Sequence, residues 1–217
     1  MLRFFARSSA TLMVLIGWNA LLSAQESPSS SLPKPQTDGG KPLMQALRER
    51  RTIREFSSAR LSPQLLSNLL WAGFGINRPE IAHRTAPSAM NAQEIDIYVA
   101  SEDGLFLYDA LAQQLQPVLA GDIRDKTSGQ EFAKQAPLTL IFVADYARMV
   151  KAQPEHKEFY SGIDTGAISQ NIYLFCASEG LATVVHALDR TVLSQAMKLR
   201  PEQRIVLAQA VGYPKKP

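Results

Sequence analysis

The sequence predicts an α+β domain, and three observations carry that prediction. Leu138-Thr139-Leu140-Ile141-Phe142-Val143-Ala144 is a continuous apolar run of the kind that fills a central strand. Ile168, Ile172, Phe175 and Cys176 recur at helical spacing ahead of Gly180, which gives a long helix with a glycine stop. Helices and strands are mixed along the chain without a regular βαβ alternation, which favours α+β over a doubly wound sheet.

The elements follow in order. Pro42 suits a first helical turn, and Leu43, Met44, Leu47 and Arg51 keep helical spacing, so Pro42 to Arg51 reads as a helix. Ser62 can cap a second helix that runs to Phe74, with Pro63 in its first turn and Leu65, Leu66, Leu69 and Leu70 on one side; Gly73 and Gly75 end it. Asn77 to Gln93 is a polar loop with two prolines, and Ile95 to Ala100 is a β-branched, apolar strand. Leu105, Leu107, Leu111 and Leu115 fit either period in part; a hairpin of Leu105 to Asp109 with Leu115 to Leu119 is preferred. A short helix is expected over Gly129 to Gln135, then the central strand. The long helix is expected from Asp164 or Gly166 to Ser178. Strands over Leu181 to His186 and Ile205 to Gly212, with a helix from Thr191 to Met197 between them, complete the set.

At 217 residues, 46% hydrophobic and 20% charged, the chain can bury one sizeable core, so a single domain is expected. Residues 1 to 24 stand apart from it. Arg3 and Arg7 precede an uncharged, mainly apolar run from Ala10 to Ala24, the layout of a secretory signal peptide cut near Ala24. The run is short for a membrane span, so no stable membrane insertion is expected after cleavage, a retained anchor being the alternative. Export, to the periplasm, is the expected destination. Residues 25 to 41 are rich in Ser, Pro and Gly and read as a flexible linker, leaving 42–217 as the folded domain.

Cleavage would remove two arginines and no acids, so the net charge would fall from +3 to +1. The chain then has no basic surplus to recommend nucleic acid, and no basic stripe with interleaved aromatics is present. Cys176 is the sole cysteine and lies among apolar neighbours, which reads as a buried structural thiol. His83, His156 and His186 form no metal-ligand spacing, so no metal is expected.

Two stretches carry chemistry. Arg50-Arg51-Thr52-Ile53-Arg54-Glu55-Phe56 places three guanidinium groups and a hydroxyl at a predicted helix end, a donor set suited to a phosphate. The bland reading is a cationic helix C-terminus that complements the macrodipole. Ala86-Pro87-Ser88-Ala89-Met90-Asn91-Ala92-Gln93 offers free main-chain amides beside small polar side chains, suited to the edge of a heterocycle; the bland reading is a proline turn into a strand.

Taken in order, these signals resemble the nitroreductase family of flavin mononucleotide (FMN) enzymes. The carriers are the Arg-Arg-Thr-x-Arg-x-Phe segment, the Pro-Ser-x-x-Asn-x-Gln loop before a strand, and Ala136-Pro137 ahead of an apolar strand. Asp164-x-Gly166 with Gln170-Asn171 on the long helix, and Gly180-Leu181 after it, continue the match, which covers roughly Pro42 to Pro214. The resemblance implies a mostly antiparallel central sheet flanked by helices, and a homodimer with flavins at its interface. It implies that Arg50, Arg51, Thr52 and Arg54 hold the phosphate and ribityl chain. Pro87, Ser88, Ala89 and Asn91 would border the isoalloxazine ring from the partner subunit, and Val185, His186, Ala187 and Leu188 would lie near its reactive edge. Many members continue beyond the last strand and add a basic residue at the phosphate; here Lys215 or Lys216 is the candidate, a solvated tail the alternative.

His186 has two readings, a proton donor or flavin contact, and a strand-end residue whose backbone alone matters. Asp164 either faces the substrate or caps the long helix. Tyr160, with Phe159, either lines a substrate pocket or is a surface aromatic. The resemblance implies a flavin oxidoreductase that takes a hydride from a donor such as NAD(P)H and reduces a nitroaromatic- or quinone-like small molecule. The runner-up is substrate dehydrogenation, since Leu69-Leu70-Trp71-Ala72-Gly73 and Gly75-Ile76-Asn77-Arg78 look similar to the azoline-oxidising (SagB-type) subset. A flavin-binding protein without turnover is the third reading.

Overall fold

The structure is a computed structural model that describes residues 29–216. The signal-peptide expectation, residues 1 to 24, lies outside the described residues. From Ser29 the chain does not hang free. Strand β1, Ser30–Ser31, pairs with the edge of the main sheet. Pro33 and Lys34 carbonyls accept from Ser67 Oγ and Gln64 Nε2, and the Gln36 and Lys41 amides donate to Asn68 Oδ1 and Ser178 Oγ, both at 2.8 Å. The expected flexible linker is thus laid along the domain from residue 30 to 41. Its composition hides this because the partners are backbone groups, which any sequence supplies.

Helix α1, Leu43–Glu49, stops two residues short of the expected end, and Arg50 leaves it in an extended conformation. The chain gains a different partner there: the Ile53 amide donates to Thr183 O at 3.1 Å, so the arginine segment runs beside the last strand of the sheet. Helix α2, Pro63–Phe74, is capped by Ser62 Oγ, which accepts from the Leu65 amide at 3.2 Å. Leu69, Leu70 and Phe74 enter the core. The polar loop after α2 contains a short antiparallel pair, β2 (Ile76–Arg78) and β3 (His83–Arg84).

Strands β4 (Ile95–Ser101), β5 (Gly104–Asp109) and β6 (Gln114–Ala120) form the expected meander. Leu105, Tyr108 and Leu115 are buried, which resolves the ambiguous leucine pattern in favour of the hairpin. After α3 (Glu131–Gln135) comes β7, Leu138–Asp145, buried at every position. Leu138, Leu140, Phe142 and Ala144 face α2 and the long helix α4 (Lys157–Glu179), while Ile141 and Val143 face the helix α5 (Arg190–Ala196). Period-two alternation with both faces covered explains why the run is continuously apolar.

Helix α4, Lys157–Glu179, starts well before Asp164. Its first turns bury Ser161 and expose Phe159 and Ile163, so they carry no inward apolar stripe for the sequence to show. Asp164 lies inside α4, which removes the helix-cap reading of that residue. Gly180, at φ 71°, ends α4 in the left-handed region where a side chain would be strained. A Cβ at Gly73 would sit 3.1 Å from Ile172 Cγ1, which shows how closely α2 crosses α4.

Strand β8 (Ala182–His186), α5 (Arg190–Ala196, capped by Asp189) and β9 (Gln203–Gly212) complete the fold. The seven-stranded sheet has the order β1-β6-β5-β4-β7-β9-β8, with every pairing antiparallel. A buried polar chain fixes α4 over its end: Ser169 Oγ donates to Gln209 Oε1, Gln209 Nε2 to Thr183 Oγ1, and Thr183 Oγ1 to Ala210 O. Among the described residues, no helix is long and apolar enough to cross a membrane.

Candidate cofactor-binding site

The arginine segment gathers around Tyr173 of α4. The Arg50 guanidinium lies over the Tyr173 ring, 5.4 Å from its centroid. The Tyr173 hydroxyl accepts from the Val185 amide at 3.0 Å and lies 3.3 Å from Thr52 Oγ1, so one side chain links the segment to β8. A cavity of about 500 Å³ opens here, lined by Lys41, Arg48, Arg50, Arg51 and Tyr173. Glu49 is the acid among its described lining residues, and it is already engaged by Lys41 at 2.6 Å and by Gln45. Those two bonds, Lys41's first, hold the Glu49 carboxyl below its ordinary range. Three guanidinium groups without a competing free carboxylate fit a phosphate well.

Arg54 points elsewhere, over the Phe132 ring of α3 at 5.8 Å. Phe132 in turn meets His186 edge to face, with centroids 6.3 Å apart. His186 is 4% exposed, and burial pushes its pKa down, opposed by a hydrogen bond to Ala187. Its Nδ1 lies 3.2 Å from the Ala187 carbonyl, which can only accept, so Nδ1 carries the proton. Nε2 is then a bare acceptor, and it has no partner. Val185, His186, Ala187 and Leu188 border a second, smaller cavity of about 220 Å³.

The C-terminal residues fold back along the same segment. Ser57 N donates to Tyr213 O at 2.9 Å and Lys215 N to Glu55 O at 3.1 Å, with a bridge between Phe56 and Pro214. Lys215 and Lys216 line a neighbouring open cavity that shares Gly180 and Pro214 with the arginine cavity. Lys215 is therefore held by its backbone beside the arginine segment, in a cavity that meets the arginine cavity at Gly180 and Pro214.

The proline-serine loop lies at the other half of α4. The Ala89 amide donates to Asp164 Oδ2 at 2.8 Å, and Ser88 Oγ accepts from the Gln93 amide at 2.9 Å. Asn91 meets His83 and Gln93, while Pro87 is exposed. Met90, Asn91 and Gln93 have positive φ values of 54°, 54° and 48°. Tyr160 lies one turn before Asp164 in an aromatic group with Phe159 and His156. Asp164 and Tyr173 are nine residues apart on α4, roughly 14 Å along its axis. One chain thus joins Arg50, Arg51 and Thr52 to Val185, and joins Ala89 to Asp164, but does not join the two groups to each other.

Tyr173 and Glu94 went unread in the sequence. Tyr173 had a usable signal, a polar aromatic beside the buried stripe of Ser169, Ile172 and Cys176. Glu94, fully buried, had none, because its burial is created by residues distant in the chain.

A seven-stranded antiparallel sheet under a long helix, with a basic segment beside its edge strand, is the architecture of the nitroreductase fold. The chain belongs to that family: residues 47–213 match the nitroreductase family model. It is therefore an oxidoreductase by family. A Methanocaldococcus jannaschii protein described as a nitroreductase is 30% identical over 152 residues, 65% of this chain and 76% of that protein. A solved structure from Ralstonia eutropha JMP134, also described as a nitroreductase, is 39% identical at a TM-score of 0.83, covering 87% of this chain and 90% of that one. A Clostridium acetobutylicum structure described as an NADH oxidase shares the fold, at 22% identity and a TM-score of 0.56, over 79% and 89% of the two chains.

Proposed function

We propose that this chain is an FMN-dependent oxidoreductase that accepts hydride from a donor such as NAD(P)H and reduces nitroaromatic- or quinone-like acceptors. The observation that carries this reading is the meeting of Arg50 and Thr52 at Tyr173, with Arg48, Arg50 and Arg51 lining a cavity whose acid is already paired. Bound FMN would supply the two-electron chemistry. Arg50, Arg51 and Thr52 would take its phosphate, with Arg54 and Lys215 at the margins of the same site. The Val185 to Leu188 backbone would border the ring, where main-chain amides favour negative charge. Pro87, Ser88, Ala89 and Asn91 would approach from a second copy, since their own chain holds them away from the arginines. A homodimer is further supported by exposed apolar side chains, Leu43, Met44 and Leu47 on α1 and Phe159 and Ile163 on α4. Tyr160 and Asp164 would then stand near the substrate's entry.

The test is reconstitution with FMN followed by anaerobic mixing with NADH or NADPH. Bleaching of the flavin band supports a reductase; a bound flavin that no donor bleaches points to a carrier. Substrate dehydrogenation, as in the azoline-oxidising subset, is the second reading, favoured by the bare Nε2 of a neutral His186, which can take a proton. Export to the periplasm with loss of residues 1 to 24 belongs to the same proposal, and N-terminal sequencing of the chain from fractionated cells checks it.

A further inference from the structure

Glu94 joins the proline-serine loop to β4. Its side chain is wholly buried, and neither carboxyl oxygen meets a hydrogen-bond donor. A carboxylate buried in its charged form without a donor is strongly disfavoured. The acid that acts on it is Asp164 of α4, itself 5% exposed, whose Oδ2 accepts from the Ala89 amide. Two ionised carboxylates are acceptors only, and they repel. One proton on Glu94 makes it a donor toward Asp164, whose Oδ2 goes on accepting from the Ala89 amide.

The loop needs a holder. Met90, Asn91 and Gln93 occupy the left-handed region without being glycines, a conformation that persists only where the surroundings enforce it. Ser88 Oγ and Arg84 Nε bind Gln93, and His83 meets Asn91, so these contacts act within the loop and β3. Among the described contacts, the hydrogen bond from Ala89 to Asp164 is the one that ties the loop to α4.

We propose that Glu94 is a positioning residue: it shares one proton with Asp164, fixes the Asp164 to Ala89 bond, and so holds the strained loop in the form that meets the cofactor. The last clause rests on the flavin reading given above. Other charged or titratable groups face the pair. Arg148, from the turn after β7, donates from Nη2 to the Glu94 carbonyl at 2.6 Å and pairs through the same nitrogen with Asp96 at 2.7 Å; its Nε is buried without a hydrogen-bond partner among the described residues, and its charge works against the rise of the Glu94 acid. Tyr146 stands beside the same turn, and His83 and Arg84 border the loop. Burial raises the Glu94 acid to about 7, opposed by the residue's own main-chain amide and reinforced by the charge of Asp164. The clamp therefore loosens as pH rises through neutrality.

The test follows the Ala89 amide by NMR in the flavin-free folded chain, from about pH 5.5 to 8.5, in the natural chain and in Glu94→Gln. Glutamine keeps a donor for Asp164 and cannot titrate. The expected result is a shift step near neutrality in the natural chain and none in Glu94→Gln. A flat natural profile, a step that survives in Glu94→Gln, or a step abolished by His83→Gln would overturn the proposal. FMN titration by fluorescence quenching supplies the second arm. If only the protonated pair holds the loop, the apparent Kd of the natural chain rises about 30-fold from pH 6 to 8.5, and that of Glu94→Gln stays within about 3-fold after correction for the ligand's own titration. Equal pH dependence in both overturns the cofactor half. Absence of FMN binding at every pH sinks the proposed function, while a Glu94-dependent amide step still establishes the clamp.

Discussion

Glu94→Gln also separates stabilities. The folded chain lifts this acid from 4.5 to about 7, chiefly by burial, with Asp164's charge adding and the residue's own main-chain amide and Arg148 opposing. Between those two values the folded chain keeps a proton that the unfolded chain has lost, so the natural chain's unfolding free energy falls as pH rises. The window spans about 2.5 pH units at 1.36 kcal/mol each, an upper bound of roughly 3 kcal/mol. Below about pH 4.5 both states are protonated, and above about pH 7 both have lost the proton, so the loss is confined between them. Glutamine has no such window. Urea unfolding at about pH 5 and pH 7.5 measures it as the natural chain minus Glu94→Gln, so that every other titrating group cancels. The expected difference grows by about 2 to 3 kcal/mol against the natural chain toward pH 7.5. If the two chains keep parallel pH dependence to within about 0.5 kcal/mol, Glu94 is ionised in the fold and the shared-proton reasoning is wrong.

Arg50→Ala should weaken FMN binding about 10- to 100-fold, the worth of one charge-assisted bond, by fluorescence titration; full retention by both Arg50→Ala and Arg54→Ala would remove the phosphate assignment. His186, whose pKa burial lowers, contributes stability that is present above about pH 6.5 and lost as pH falls through the lowered folded value. His186→Phe should therefore flatten the acid limb of a thermal-midpoint profile, and an unchanged limb would show that this imidazole is solvated. Gly212→Ala places a Cβ 2.5 Å from Pro137 Cδ, a ring that cannot swing aside, and should cost about 1 to 3 kcal/mol in urea unfolding. A neutral result there would mean that the end of β9 shifts freely.

Much of the fold was legible because its signals are local. The apolar run of β7, the Ser62 cap and Gly180 each declare an element within a few residues. The beginning of α4 was not legible, since Ser161 is buried and Phe159 exposed, the reverse of what an amphipathic pattern shows. The candidate site divides in the same way. Arg50, Arg51 and Thr52 stand together in sequence, and the structure adds Tyr173, which meets Arg50 and Thr52 and lines the cavity beside Arg51. Arg54, in the same run, turns to Phe132 instead, an aromatic ring that only the tertiary fold brings beside it from α3.

By itself, the sequence determined the α+β class and the order of its elements, and it singled out two loops by their donor types. Periodicity, caps and donor types are properties of short windows. Only the tertiary structure decided which residues lose their water. It seated residues 30 to 41 along the domain, removed the helix-cap alternative for Asp164 by placing it inside α4, and buried Glu94 beside it with no donor. Burial is what raises the Glu94 acid, and burial comes from side chains far apart in sequence meeting across the sheet and α4.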